Sequence, residues 1–230
     1  MGATEAGIEI AGSDNRVSWN VVKKNGAGIV VSGIGNDLRG GTVEKNTGNG
    51  VQFSATAQAN LLQGADIQLN GANGILIEGS GNTVRDNSRV DSNGKNGVVV
   101  TGSGNLIKAN VIGSDKTKGN GENGVMVTGA GNMLNSNKAS ANLGDGFTIS
   151  GGIAGNPNVL KGNQSNVGGS GQNKENKGAE YRLANTVTSL DGNKADGASV
   201  PKAAGEVPGV PQEERDEGLP DAVRLRVDGR

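Results

Sequence analysis

One run of side chains in this 230-residue sequence has the type and spacing to hold an anion. Ser18, Arg39, Gln63, Arg85, Lys108, Asn135 and Lys161 recur at near-constant intervals, and none is acidic. If they stand one above another, they form a column of cations and amides. Arg39, Gln63, Arg85, Lys108 and Lys161 are then the candidate contacts for an anionic polysaccharide, gripped through spaced charge-assisted hydrogen bonds. The same residues also serve as a solvated face whose Lys and Arg keep sheets from pairing edge to edge. A second candidate is Asp66 and Asp91 near Arg89, which could pair or hold a metal ion. Single carboxylates in different columns fit a structural or surface role better.

Much other chemistry is excluded by composition. The chain has no His and no Cys, which removes Ser-His-Asp hydrolysis, imidazole or thiolate zinc sites, and disulfides. No catalytic residue and no metal ligand set is assigned. Aromatic residues make up 2% of the chain, too few for stacked sugar platforms or nucleobase stacking, and the net charge of −1 supplies no field for nucleic acid. No apolar run approaches the ~18 residues of a membrane span. The opening MGATEAGIEIAG lacks the basic and apolar regions of a signal peptide. Because the repeat is already under way at Gly7, the chain reads as cut from something longer.

The elements that would align such a column are visible as a repeat. Gly97-Val-Val-Val-Thr-Gly-Ser-Gly-Asn105 returns as Gly124-Val-Met-Val-Thr-Gly-Ala-Gly-Asn132. Units open at Gly7, Gly28, Gly50, Gly74, Gly97, Gly124 and Gly146, with a degenerate one at Gly178. An array of this kind must be recognised before any other reading is made. Within a unit, apolar residues alternate with polar ones, which is the strand period. The first strand carries pairs such as Ile75/Ile77 and Val98/Val100. The second carries Val17, Leu38, Leu62, Val84, Ile107, Leu134 and Leu160. The third carries Val22, Val43, Ile67, Val90 and Ile112, fading to Ala139 and Ser165. Strands this short must stack on copies of themselves, climbing ~4.8 Å per unit.

Asparagines mark the corners in three columns. The first is Asn15, Asn36, Asn60, Asn82, Asn105, Asn132 and Asn158. The second is Asn20, Asn87, Asn110, Asn137 and Asn163. The third is Asn25, Asn46, Asn70, Asn93, Asp115 and Asn142. Asn tolerates left-handed backbone, and stacked amides bond one another up a coil. The glycines beside them read as corners that need positive φ. On the first strand, Val30, Leu76, Val99 and Met126 form a mildly apolar outward stripe, a docking patch or plain β-propensity. Insertions at Gly113–Asn120 and within Gly151–Gly178 read as side loops carrying Asp115, Lys116 and Lys118. Residues 1–194 are therefore expected to form the repeat domain. Residues 195–230, with four of the five prolines and the acidic Glu213–Glu217, are expected to form a mostly irregular linker or tail with a short strand near 222–227.

The pattern G-[IV]-x-V-x-G-x-G-N-x-[VIL]-x-x-N resembles the right-handed parallel β-helix repeat family of the pectate-lyase-like superfamily. Val111-Ile-Gly-Ser-Asp115 followed by Gly119-Asn120-Gly121 is similar to a turn insertion of its bacterial secreted members. The resemblance implies an all-β solenoid of about seven to eight coils of three short strands, exported to the extracellular space or cell surface. It implies either a non-catalytic structural or surface-display segment that touches polysaccharide or another surface protein, or a degenerate polysaccharide lyase. Only the lyase alternative would call for calcium, and no cofactor is otherwise expected. The hydrolase pattern of the superfamily needs Gly-His-Gly, which a chain without His cannot supply. The missing carboxylate cluster and scarce aromatics favour the non-catalytic reading.

Overall fold

The computed structural model describes residues 5–87, 89–113, 119–153, 155–166, 175–183, 187–195, 198–199 and 223–225. The chain winds as a right-handed parallel β-helix with three sheets and no helices among the described residues. Each strand pairs with its counterpart in the next coil. Ala6–Ile10 lies beside Ala27–Val31, then Val51–Phe53, and so on up the first sheet. Arg16–Ser18 begins the second sheet and Val21–Lys23 the third. Eight parallel strands stack in each sheet. An antiparallel strand ends two of them: Val223–Leu225 beside Tyr181–Leu183 in the first, and Ala198–Ser199 beside Lys194–Ala195 in the third.

Alternation decides what is inside. In Val51–Phe53, Ile75–Ile77 and Val125–Val127 the outer two residues are buried and the middle one faces out. In the other two sheets the middle residue turns in: Leu62, Val84 and Ile107 in the second, Ile67, Val90 and Ile112 in the third. These side chains form one core running the length of the coil. Each fully buried Val, Ile or Leu contributes roughly 1.5–3 kcal/mol against exposure. The third-sheet column shrinks as expected, from Ile112 through Ala139 to Ser165.

The corners differ from the sequence expectation in an informative way. At most corners of the first three ladders the left-handed residue is the one before the Asn, not the Asn itself. Gly104 has φ +66°, Ala109 +52° and Leu69 +58°, ahead of Asn105, Asn110 and Asn70. Several are not glycine, and each such residue costs ~1–2 kcal/mol. Hydrogen bonds made by the next residue offset that cost. A second set of glycines has no positive φ and is required for another reason. A Cβ on Gly129 would lie 1.8 Å from the Gly102 carbonyl oxygen, because backbone touches backbone there between coils.

The third Asn column also needs one correction. Asn120, not Asp115, sits between Asn93 and Asn142. The insertion had displaced the register, and Asp115, Lys116 and Lys118 lie outside the described residues. The last unit opens in register at Glu180 rather than Gly178, since Tyr181 pairs with Phe147. Asn20 joins no ladder, because the next coil places Gly41 beside it and offers no side-chain acceptor; the Asn20 amide turns back to the Ser18 carbonyl.

Candidate functional site on the outer face of the second sheet

Second-sheet strands such as Thr83–Arg85 and Leu106–Lys108 point their middle residue inward and their ends outward. Two outward columns result. One is the cation and amide column. Ser18 is in register with Arg39, Arg39 with Gln63, Gln63 with Arg85, Arg85 with Lys108, Lys108 with Asn135 and Asn135 with Lys161. The structure thus brings every predicted contact residue into one line. It adds an acid at the far end, because Lys161 is in register with the exposed Asp191.

The second outward column lies two residues earlier on each strand, about 7 Å away. It opens with Arg16 and Asp37, runs on through Leu61, Thr83, Leu106, Met133 and Val159, and reaches Ser189. Met133 is 42% exposed, and Leu61, Thr83, Leu106 and Val159 are half-buried. An aliphatic stripe therefore stands beside the cations.

The cations are not equivalent. Arg39 is tied to Asp37, two residues back on the same strand, by an ion pair at 2.8 Å. The Arg39 guanidinium donates to both Asp37 oxygens and holds that carboxyl below the usual range, with Arg16 and Arg85 adding to the effect. Asp37 in turn raises the guanidinium further. Arg85 donates to Gln63 Oε1 at 2.8 Å and approaches Asp86 at 3.6 Å. Lys108 and Lys161 are exposed, and neither has a hydrogen-bond or ion-pair partner among the described residues.

Inside the coil the polar groups are consumed by one another. Asn82 donates its backbone N–H to Asn105 Oδ1 at 2.8 Å, and Asn105 does the same to Asn132. The second Nδ2 hydrogen of Asn105 goes back to the Gly79 carbonyl at 3.0 Å. The second and third ladders repeat the pattern, as from Asn110 to Asn137 and from Asn46 to Asn70. A fourth ladder went unread in the sequence. Asn73 donates to Asn49, Asn96 to Asn73 and Asn123 to Asn96. Its polarity is opposite: each coil donates back toward the N-terminal end, whereas the other three donate forward. Its members stand in Asn-Gly pairs, which read as simple turn signals.

Among the other carboxylates, Asp66 keeps Oδ1 buried with no hydrogen-bond partner among the described residues, while Asp91 and Asp145 each stand beside an arginine. Arg89 is in register with Asp66, donates to Gln68 and lies 3.8 Å from Asp91. Asp145, unassigned from sequence, is buried beneath Arg182, with Nε–Oδ2 at 2.5 Å and Nη2–Oδ1 at 3.0 Å. Burial pushes the Asp145 carboxyl up. The Arg182 guanidinium, the Ala179 N–H and the Thr148 hydroxyl outweigh it and leave it below the ordinary value. Glu180 stands where the earlier coils open with glycine, and it accepts from Ser165, Asn166 and Asn176. Beside it Tyr181 stacks on Phe147 at 4.9 Å, and burial pushes its hydroxyl pKa up. On the first sheet the apolar outward stripe is interrupted by Gln52, and Val99 within it is only 8% exposed. Among the described residues no three His, Cys, Asp or Glu side chains group to hold a metal ion.

A family model described as "Periplasmic copper-binding protein (NosD)" matches residues 2–117. No curated protein matches the chain. No solved structure matches it either.

Proposed function

The chain belongs to the NosD family, and from that membership and the geometry above we propose a non-catalytic β-helix scaffold of an exported protein. Its contact surface is the outer face of the second sheet, and its ligand there is an anionic polysaccharide. One observation carries the reading: Lys108 and Lys161 stand in one line with no partner among the described residues, whereas the buried Asn side chains of the coil are spent in ladders. The family's printed description places it in the periplasm, which supports export. Display at the cell surface is the narrower form of the same proposal.

The family description also names copper, and this chain's donor set does not fit it. Copper sites draw on imidazole, thiolate and thioether ligands. The sequence has no His or Cys and three Met. Met126 faces outward on the first sheet and Met133 on the second. No step is assigned to copper.

The test measures binding and turnover together. Polygalacturonate and alginate, with and without calcium, are titrated against the protein while absorbance of unsaturated uronate is followed. The expected result is salt-sensitive binding with no product, weakened by Lys108→Ala with Lys161→Ala. Turnover abolished by Lys108→Ala or Arg85→Ala would make the protein a lyase and sink the scaffold reading.

A further inference from the structure

We infer that Asn25-Gly26 is a self-modification site, the Asn-Gly bond at which the coil restrains deamidation least. The site is independent of the contact surface proposed above. Glycine follows asparagine at Asn25, Asn49, Asn70, Asn73, Asn93, Asn96, Asn120 and Asn123. At such a pair the glycine nitrogen can attack the asparagine Cγ. A C–N bond forms, the Cγ–Nδ2 bond breaks, and ammonia leaves with the proton shed by the glycine N–H. Water then opens the resulting succinimide to aspartate or isoaspartate. The reaction needs no reactant but water. It does need a glycine N–H free to shed its proton and a carboxamide free to swing toward that nitrogen.

All these pairs but Asn25-Gly26 are denied both freedoms. Each glycine N–H donates to the main-chain carbonyl of a ladder residue in the adjacent coil. Gly50 donates to Asn73, Gly71 to Asn46, Gly74 to Asn96, Gly94 to Asn70, Gly97 to Asn123, Gly121 to Asn93 and Gly124 to Asp145, at 2.7–3.0 Å. Each of these asparagines also has its Oδ1 held by an N–H from a neighbouring coil. Asn70 accepts from Asn46, Asn93 from Asn70 and Asn120 from Asn93. In the fourth ladder Asn49 accepts from Asn73, Asn73 from Asn96, Asn96 from Asn123 and Asn123 from Asp145.

Asn25 is held from one side. Its Nδ2 donates to Asn46 Oδ1 at 3.2 Å, and no described residue donates to its own Oδ1. Deeper members of the same ladder add a second Nδ2 bond to the coil before, as Asn70 does to the Val43 carbonyl and Asn93 to that of Ile67. Asn70, Asn93 and Asn120 are at most 2% exposed, whereas Asn25 is half-buried. The Gly26 N–H donates to the carbonyl of Glu5, an exposed residue that belongs to no ladder. Local opening there breaks fewer bonds than deeper in the coil, and the free energy of opening sets how often the nucleophile is released. The product is also easier to accommodate. Asp145 shows what a carboxylate inside a ladder requires, since it is met by the Arg182 guanidinium and the Ala179 N–H. At half-buried Asn25 water meets the new charge instead.

The full chain is held at mildly alkaline pH, folded or in urea, and its peptides are mapped by mass, with isoaspartate detected by enzymatic methylation. In the folded chain the peptide carrying Asn25 should convert roughly tenfold or more faster than those carrying Asn70, Asn93 and Asn96. In urea all the Asn-Gly pairs should convert at similar rates. Asn46→Ala, with its fold verified by circular dichroism, should speed conversion at Asn25 and leave Asn96 unchanged. Equal rates at Asn25 and the inner pairs of the folded chain would overturn the assignment of the site. Equal rates with and without urea would overturn the restraint by the coil. Unchanged conversion at Asn25 in the Asn46→Ala variant would overturn the part given to the ladder bond.

Discussion

Asn105 and Lys108 are three residues apart, belong to the same coil and repeat in the same register, yet their columns have opposite fates. The Asn column is closed: each amide is donor to one neighbour and acceptor for another. The column through Lys108 is open, because Arg85 beside it carries the same charge ~4.8 Å away, Asn135 separates it from Lys161, and a cation can only be met from outside. Stacking therefore turns inward polar groups into structure and leaves outward ones available for contact. The arginines show an intermediate state. Arg39 and Arg85 sit in the open column but have been closed locally by Asp37 and Gln63.

The largest effect should come from forcing volume between coils. Gly129→Ala places a Cβ against the Gly102 carbonyl and should cost about 3 kcal/mol or more. Gly104→Ala, where nothing lies within 4 Å, should cost only the left-handed strain of ~1–2 kcal/mol. Equal losses in urea denaturation would show that strain and not backbone contact sets the glycine requirement.

Arg182→Met should cost about 2–4 kcal/mol, somewhat less than a fully buried pair because Arg182 is 30% exposed. The pair also carries a pH signature. The Asp145 carboxyl is depressed in the folded chain, so its contribution is complete above the ordinary Asp value of 3.8 and fades as pH falls through the folded value. Melting curves of the wild type should therefore lose stability on acidification below that point, and the difference from Arg182→Met should narrow.

Asn105→Ala should cost about 2–3 kcal/mol, since it strips a partner from the Asn82 N–H and from the Gly79 carbonyl. An unchanged denaturation midpoint would mean that the ladder is not a closed structure. At the small end, Lys108→Ala with Lys161→Ala should shift stability by no more than ~0.5 kcal/mol, as exposed unpaired side chains do. A larger loss would place these lysines with the ladder rather than with the contact face.

The strands and the first Asn column were legible because alternation runs through the units and Gly-x-Gly-Asn recurs before Asn36, Asn82, Asn105 and Asn132. Legibility failed where length or volume changed. The insertion before Asn120 offered Asp115 at the expected count, and only the hydrogen bonds to Asn93 and Asn142 identify the true member. Glu180 was missed because the opening position is glycine in every earlier unit, and only the bonds it accepts from Ser165 and Asn176 show how a charged residue is held there. The site was half legible. Its alignment could be read from spacing, but the pairing that neutralises Arg39 and leaves Lys108 and Lys161 without a partner among the described residues required knowing that residues two apart on one strand share a face, so that Asp37 reaches Arg39.

The opposed fourth ladder has an electrical consequence. In the first three ladders each Oδ1 faces the preceding coil and Nδ2 reaches toward the following one, so their amide dipoles add head to tail with the negative pole at the N-terminal end. The ladder through Asn49, Asn73, Asn96 and Asn123 points the other way and subtracts from that sum without cancelling it. The β-helix is thus a weak axial electret, carrying a permanent moment that a net charge of −1 does not disclose.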